Sequence, residues 1–580
     1  MMLNTKKRPL MAAALLLTSL GIATSCIDKS YDLDKDIDMT INAGGEYLAI
    51  PVGYTEKITL DKIIELEEGD DLQVVDGEYH LLKSGTVDNA TTDVKNVTVK
   101  GSTTLIDATE VVNVPSIPQD EDFRKDINKA NPITANANDI DQAVKEIGSL
   151  AAETPAELRI ELRIDADASM NYDQVEISGL KITFPGFLDF EADGDLKNNV
   201  LTIPSATISK GGAYTRTLRL AGYKFGNEPK KGKVIVNRSL AISENVTVEG
   251  TAKVNIKAGS SGKLSVAPRI ILSDMSVASI TGIIQPEIEE TGSTVDIESL
   301  PDFLQDDATE LDIDNPVFTF IATNPLEAPV TLNGKLSGKK DGATIDGSAV
   351  IIGKGSKDGE EIILRKGKNV IALSRLGKGG PEGATNVKVS DINNLIKKIP
   401  DVVSVTLQPA VESEEYYTIR LGETYSMESS YDIDIPLSFG SNLKIVYEET
   451  IDDLDLDLED VDIKKAILSI NAVNTIPLAM EIKNDNVSAL DAEGNVIEDI
   501  DVTVEGTIAE SKDGKAEVTS TLSITLDEKA EGAISKLDGL KLKVTAVPGQ
   551  ATGILLLSSQ WLQLKDMKLR IPNGIKVDLN

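Results

Sequence analysis

From Leu158 to Ala166 the chain reads Leu-Arg-Ile-Glu-Leu-Arg-Ile-Asp-Ala, a strict alternation of apolar and charged residues. Successive side chains of a strand point to opposite faces, so this order puts every apolar group on one face and every charge on the other. The segment is therefore predicted to be a half-buried antiparallel strand. The same period returns at 253–257, 501–505 and 540–544. Asp-Gly pairs begin at 76, 193, 341, 346, 358, 513 and 538, and most lie between apolar runs. They supply the positive φ values that tight hairpins need. Short strands joined by such turns predict a mainly β protein built of tandem antiparallel, Ig-like β-sandwiches with a few short helices.

Composition agrees with packed domains. Hydrophobic residues make up 41% of 580, enough for real cores, and at about 100 to 200 residues per domain the length implies several. Asp and Glu number 94 against 58 Lys and Arg, a net charge of −36. Nucleic acid and anionic headgroups are poor partners for such a surface.

The single cysteine, Cys26, closes a secretion signal. Lys6, Lys7 and Arg8 form its charged start, Pro9 to Ile22 its apolar run, and Ala23-Thr24-Ser25 the small residues before the cysteine. The apolar run is too short to span a hydrocarbon core about 30 Å thick. The expectation is cleavage before Cys26 and acylation of the new N-terminal cysteine as a membrane anchor. No other thiol remains for a disulfide or a cysteine metal site. Behind the anchor, residues 27–38 are rich in Asp. A lipobox followed by an acidic tether resembles the surface lipoproteins of the Bacteroidetes, and that resemblance implies a lipid-anchored protein on the outer face of the outer membrane.

Two segments repeat. Phe320-Ile321-Ala322-Thr323-Asn324-Pro325 and Ile470-Asn471-Ala472-Val473-Asn474-Thr475 each end a strand pattern in Ala-x-Asn, and a proline-containing bend then leads to a second apolar strand. Asp-Ile at 139, 296 and 391 opens three helix-like stretches, Gln142 to Leu150, Ser299 to Gln305 and Asn393 to Lys398. The recurrences suggest tandem domains of about 100 to 150 residues. The strand, Asn-Pro bend, strand arrangement also resembles the Ig-like sandwich of late-embryogenesis-abundant proteins. The expected division is a signal peptide at 1–25, an acidic tether at 26–43, an N-terminal β domain at 44–136 and sandwiches at 137–290 and 291–388. A β domain or half-domain at 389–460 and a C-terminal sandwich at 461–580 complete it. A fragment starting near Ile297 is then expected to fold alone.

Catalytic sets are not legible. The one histidine, His80, follows the Asp76-Gly77 turn in a strand pattern and has no Gly-x-Ser-x-Gly elbow to accompany it. It is read as a surface or cross-strand residue. There is no phosphate-binding Gly-x-x-x-x-Gly-Lys-Ser/Thr loop and no His-Glu-x-x-His. Paired carboxylates for glycoside hydrolysis stay open on composition alone. Aromatics, however, are only 4% of residues and the single tryptophan, Trp561, sits in an apolar stretch that reads as core.

Three kinds of constellation, acidic (two segments), basic and aromatic, are candidate binding sites. Asp189-Phe190-Glu191-Ala192-Asp193-Gly194-Asp195 begins like a calcium loop, but Val200 stands where an acid would close it, and a hairpin turn is the preferred reading. The alternating acidic run 452–460 is read as a charged edge strand, with divalent cations as the alternative. Arg216, Arg219, Lys224, Lys230, Lys231, Lys233 and Arg238 gather positive charge in an acidic chain. They suit an anionic glycan, lipopolysaccharide phosphates or an acidic neighbour, or else a hairpin tip kept soluble. Tyr416, Tyr417, Tyr425 and Tyr431 offer stiff amphipathic contact area, or cross-strand packing.

The chain is thus expected to be a non-enzymatic, surface-anchored lipoprotein with a binding, adhesion or envelope-structural role and no cofactor beyond its lipid. Its partners would be the membrane and an extracellular protein or glycan. A glycan-binding accessory of a nutrient-uptake system and a fimbrial or assembly subunit are the alternatives.

Overall fold

The computed structural model describes residues 41–43, 47–64, 66–67, 69–297, 304, 306–451, 461–572 and 575–577. Cys26, the tether up to residue 40, the acidic run 452–460 and most of the stretch Ser299 to Gln305 lie outside the described residues. The described chain is almost entirely antiparallel strand. Its helices are single turns at Leu60–Ile63, Ile392–Leu395 and Ile534–Lys536. None is long and apolar enough to cross a membrane.

Six large sheet layers form three successive sandwiches. In the first, five strands run in the order Leu196–Lys197, Val200–Ser209, Tyr172–Thr183, Leu240–Ile256, Glu121–Ala137. Against them lies a sheet centred on Val144–Ala166, which pairs with Ala213–Lys224, Gly262–Leu272 and Met275–Ile284. In the second, Gly367–Ser374, Val317–Asn324, Thr424–Pro436 and Glu78–Asp93 lie side by side opposite Thr291–Asp296, Val402–Ala410 and Val330–Lys340. In the third, Val518–Glu528, Lys465–Asn474, Trp561–Pro572 and Tyr47–Gly53 oppose Ile445–Ile451, Gly539–Val547 and Ala479–Leu490.

One plan therefore repeats three times. Each sandwich has an inner strand (Tyr172–Thr183, Val317–Asn324, Lys465–Asn474) flanked by a strand on either side, and the outer neighbour on one side comes from the N-terminal segment. Tyr47–Gly53 completes the third sandwich, Glu78–Asp93 the second and Glu121–Ala137 the first. Residues 47–137 act as a strap that passes the three sandwiches in reverse order before the rest of the chain returns through them. The first and last described strands, Ile41–Ala43 and Ile575–Val577, pair with each other.

This pairing divides the chain differently from the expected boundaries. The described strands of the expected N-terminal domain, 44–136, are distributed over the three sandwiches. Residues 291–388 share the second sandwich with Val402–Ala410 and Thr424–Pro436. A fragment beginning at Ile297 lacks Glu78–Asp93 and Thr291–Asp296 of the second sandwich and Tyr47–Gly53 of the third.

The alternation read in the sequence is seen directly. Leu158, Ile160 and Leu162 are at most 1% exposed, while Arg159 and Arg163 face solvent. Glu161 is buried on the charged side because Arg163 Nε (2.7 Å) and Arg269 Nε (2.5 Å) cover its carboxylate. Asp76-Gly77 and Asp341-Gly342 have positive φ at both residues and close two-residue hairpins. The helix-like stretch Gln142 to Leu150 is instead the start of the strand Val144–Ala166. Its register shifts at three places against Met275–Ile284, so that Val144, Ile147 and Leu150 are buried at a spacing of three. Bulges thus imitate helical periodicity.

The Ala-x-Asn repeat has a physical cause. Asn324 and Asn474 are at most 1% exposed, each where the chain leaves one sheet for the opposite one. Asn324 Nδ2 donates to the carbonyls of Ala328 (2.9 Å) and Leu364 (3.0 Å) and its Oδ1 accepts from Leu326 N–H (2.9 Å). Asn474 Nδ2 donates to the carbonyls of Ile476 (3.2 Å), Leu478 (3.0 Å) and Ala509 (2.9 Å), and its Oδ1 accepts from Ile476 N–H (2.8 Å). A buried bend needs its backbone groups paired, and one amide side chain does this in both sandwiches.

Candidate functional site

Two of the candidate constellations meet each other. Leu188–Phe190 pairs with Ala213–Lys224, which brings the acids of the Asp189 to Asp195 segment alongside the bases of the neighbouring strand. Arg216 Nη2 donates to both oxygens of Asp193 (2.9 and 2.7 Å) and to Asp195 (3.3 Å). Arg219 Nε reaches Glu191 at 2.9 Å and Lys224 Nζ reaches Asp189 at 2.9 Å. The carboxylates that begin like a calcium loop and the first three members of the basic cluster form one neutralising ladder.

The rest of the basic cluster is spread over the following loop. Lys231 pairs with Glu228 at 2.5 Å, and Arg238 Nε donates to the Ile140 carbonyl at 3.0 Å. Lys233 is exposed on the short strand Lys233–Val234, whose pairing partner is the stretch holding Glu146 and Ile147. Lys230 takes a positive φ, which turns its amide toward Glu146.

The tyrosines separate into different roles. Tyr431 packs over Gly85, its cross-strand partner, where any side chain at position 85 would collide with the ring. Tyr425 accepts from Arg420 N–H through its hydroxyl at 3.0 Å. Tyr417 accepts from the Ser413 hydroxyl at 3.2 Å and lies in the strand Tyr417–Arg420, which joins Met275–Ile284 of the first sandwich. Tyr416 alone of the four reaches the basic loop.

There the Tyr416 hydroxyl donates to Glu146 Oε1. The same carboxylate accepts from Gly232 N–H at 2.8 Å and from Lys230 N–H at 3.1 Å. Gly148 and Gly232 leave room for the phenol, since a Cβ on either would strike it. Burial pushes the Glu146 carboxyl up, but these three hydrogen bonds outweigh it and hold the group below the ordinary carboxylate range. Burial and the adjacent carboxylate raise the Tyr416 hydroxyl to about 12. Glu146 was not singled out in the sequence. It stands beside Lys145 between Val144 and Ile147, an ordinary local pattern that gives no signal of its role.

A polar cleft of about 720 Å³ lies where the first two sandwiches meet, lined by Lys95, Asp141 and Arg238 on one side and Glu287, Glu289 and Gln408 on the other. Its walls are tied by Thr91 Oγ1 to Glu289 (2.7 Å) and Gln408 Nε2 to Glu290 (2.8 Å). Of the candidate residues, Arg238 is the one that lines this cleft.

His80 lies across the strand pair from Pro436, with Nδ1 2.5 Å from Asp434 Oδ1 and Nε2 3.5 Å from Glu78. Both ring nitrogens face carboxylates, as suits a cross-strand residue. Trp561 is half-buried, not core as expected, and the Lys57 ammonium sits 3.6 Å from its ring centroid.

No family model matches the chain, and no curated protein is similar to it. Among solved structures it is similar to a Parabacteroides distasonis protein described as secreted, with 15% identity over 50% of this chain and 82% of that one and a TM-score of 0.35. A triple jelly roll protein of an archaeal virus turret is similar at 10% identity over 80% of this chain and 90% of that one, with a TM-score of 0.11. Likenesses this distant say nothing of function.

Proposed function

We propose that the chain is a non-enzymatic, surface-anchored lipoprotein that displays its first sandwich away from the membrane for a binding or envelope-structural role. One observation carries this reading: the strap completes the third, second and first sandwiches in that order, so an N-terminal anchor holds the third sandwich and leaves the first at the far end of the chain's path. Cys26 stands fifteen residues before Ile41, whose strand is paired to the C-terminal one. The four-acid, three-base ladder and the Tyr416 to Glu146 joint then serve to stiffen the display, because their charges are spent on one another.

The same strap favours an assembly subunit as the second reading. Removal of residues 47–137 would bare one edge in each sandwich to a strand from another chain. Three measurements test these readings. On intact cells, external protease is expected to degrade the wild-type protein, and Cys26→Ala is expected to leave the membrane fraction; full protection, or membrane retention of that variant, contradicts surface anchoring. Mass spectrometry of the mature N-terminus is expected to find acylated Cys26, whereas cleavage within residues 47–137 would favour the assembly subunit.

A further inference from the structure

The three sandwiches follow one plan but do not fill their interiors alike. In the first, Phe187, Tyr223 and Phe225 stack with ring centroids 6.0 to 6.2 Å apart, and Tyr223 is fully buried. The second encloses a gap of about 80 Å³ and the third a cavity of about 260 Å³. The third cavity is walled from both sheets by aliphatic side chains, among them Ile470, Leu522 and Leu564 on one and Leu542 and Val544 on the other. Tyr447 is the one aromatic residue that lines it. The helical turn Leu60–Ile63 closes one side, held by Leu60 N–H donating to the Gln560 carbonyl at 2.7 Å.

A cavity lined almost entirely by apolar side chains offers water few partners and favours apolar guests; one of about 150 Å³ already holds benzene. Left empty, it forfeits the dispersion contacts of every residue around it. Aliphatic side chains from both sheets line this space in the third sandwich. A methylene occupies about the volume of one liquid water, roughly 30 Å³. The space matches a chain of roughly eight or nine carbons on that measure. We propose that the third sandwich binds a medium-length aliphatic chain, a fatty acyl group, between its two sheets, with Leu60–Ile63 as the closing turn.

The full mature chain carrying Cys26→Ala, and so unacylated, would be titrated calorimetrically with decanoate. The expected result is one saturable site with a negative heat-capacity change. Ala546→Phe, which fills the cavity from the three-stranded sheet, should weaken binding at least tenfold. Ile524→Phe fills it from the opposite sheet and serves if the first variant melts early. Affinity should also rise from hexanoate to decanoate and level off beyond. Acylated protein that binds decanoate more weakly would identify its own lipid as the occupant, and equal binding would identify a free fatty acid; both outcomes uphold the acyl site. No binding to the folded chain, unchanged affinity in both filled variants, or affinity climbing steadily to hexadecanoate would overturn it.

Discussion

Tyr416, which leads into the strand Tyr417–Arg420 on the edge of the first sandwich, donates its hydroxyl to Glu146, a carboxylate that also accepts two backbone amides of the basic loop. One buried acid thus ties three separate segments together. Charge-assisted hydrogen bonds contribute about 1.5 to 3 kcal/mol, and the loss of one partner leaves the others unsatisfied. Glu146→Gln is expected to destabilise the protein by about 2 kcal/mol and Tyr416→Phe by about 1 to 2 kcal/mol. In a double-mutant cycle read by chemical denaturation, the two losses should be less than additive; full additivity would mean that the residues do not act on each other.

The joint should weaken at both ends of the pH scale. Glu146 is held below the ordinary carboxylate range, so its contribution is complete above about pH 4.3, the unfolded value, and is lost as pH falls through the lowered one. Tyr416 is raised to about 12, so its contribution is complete below about pH 10 and is lost as pH rises through about 12. Amide exchange of Gly232 across this range is the readout. In Glu146→Gln the acid-side change at that amide should vanish, and an identical acid profile in wild type and variant would count against the assignment.

Asn324 and Asn474 should be equally unforgiving, since each pairs the backbone of a buried bend. Alanine at either position orphans at least two carbonyls and an amide and is expected to cost about 3 kcal/mol by thermal or denaturant unfolding. Cost below about 0.5 kcal/mol at both would mean that the repeat reflects sequence alone.

The charged ladder predicts unequal effects. Arg219 and Glu191 are about half exposed, so Arg219→Ala should change stability by less than about 0.5 kcal/mol. Arg216 is better covered and binds both oxygens of Asp193, and Arg216→Ala should cost about 1 to 2 kcal/mol. Because Asp193 is already engaged, millimolar calcium should leave the melting temperature unchanged. A clear rise that disappears in Asp193→Asn would restore the calcium reading.

Local features were legible in the sequence and long-range ones were not. The strand character of Leu158 to Leu162 and the hairpins at Asp76-Gly77 and Asp341-Gly342 depend on neighbours in the chain, and the repeat at Asn324 and Asn474 could be seen because the same bend needs the same side chain. Gln142 to Leu150 misled because its bulges space buried residues like a helix. Arg216, Arg219 and Lys224 read as part of a basic cluster because the acids that neutralise them precede them by 21 to 35 residues. Glu146 was silent because Tyr416 lies 270 residues away. The strap was hidden for the same reason: Tyr47 pairs with Pro572 and Leu81 with Ile435, and nothing in a short window of sequence announces partners that distant.

That strap is the feature on which the display reading stands, and hydrogen exchange on residues 297–580 tests it most directly. This fragment keeps Thr424–Pro436 and Trp561–Pro572 but lacks Glu78–Asp93 and Tyr47–Gly53, their partners. Each of those long strands would become an open edge, and the apolar inner face beside it would be uncovered. The predicted result is loss of amide protection in both strands and no cooperative melting, with protection restored when residues 47–96 are supplied as a separate chain. Protection in the fragment equal to that of the intact protein would contradict the strap and return the chain to three self-contained sandwiches.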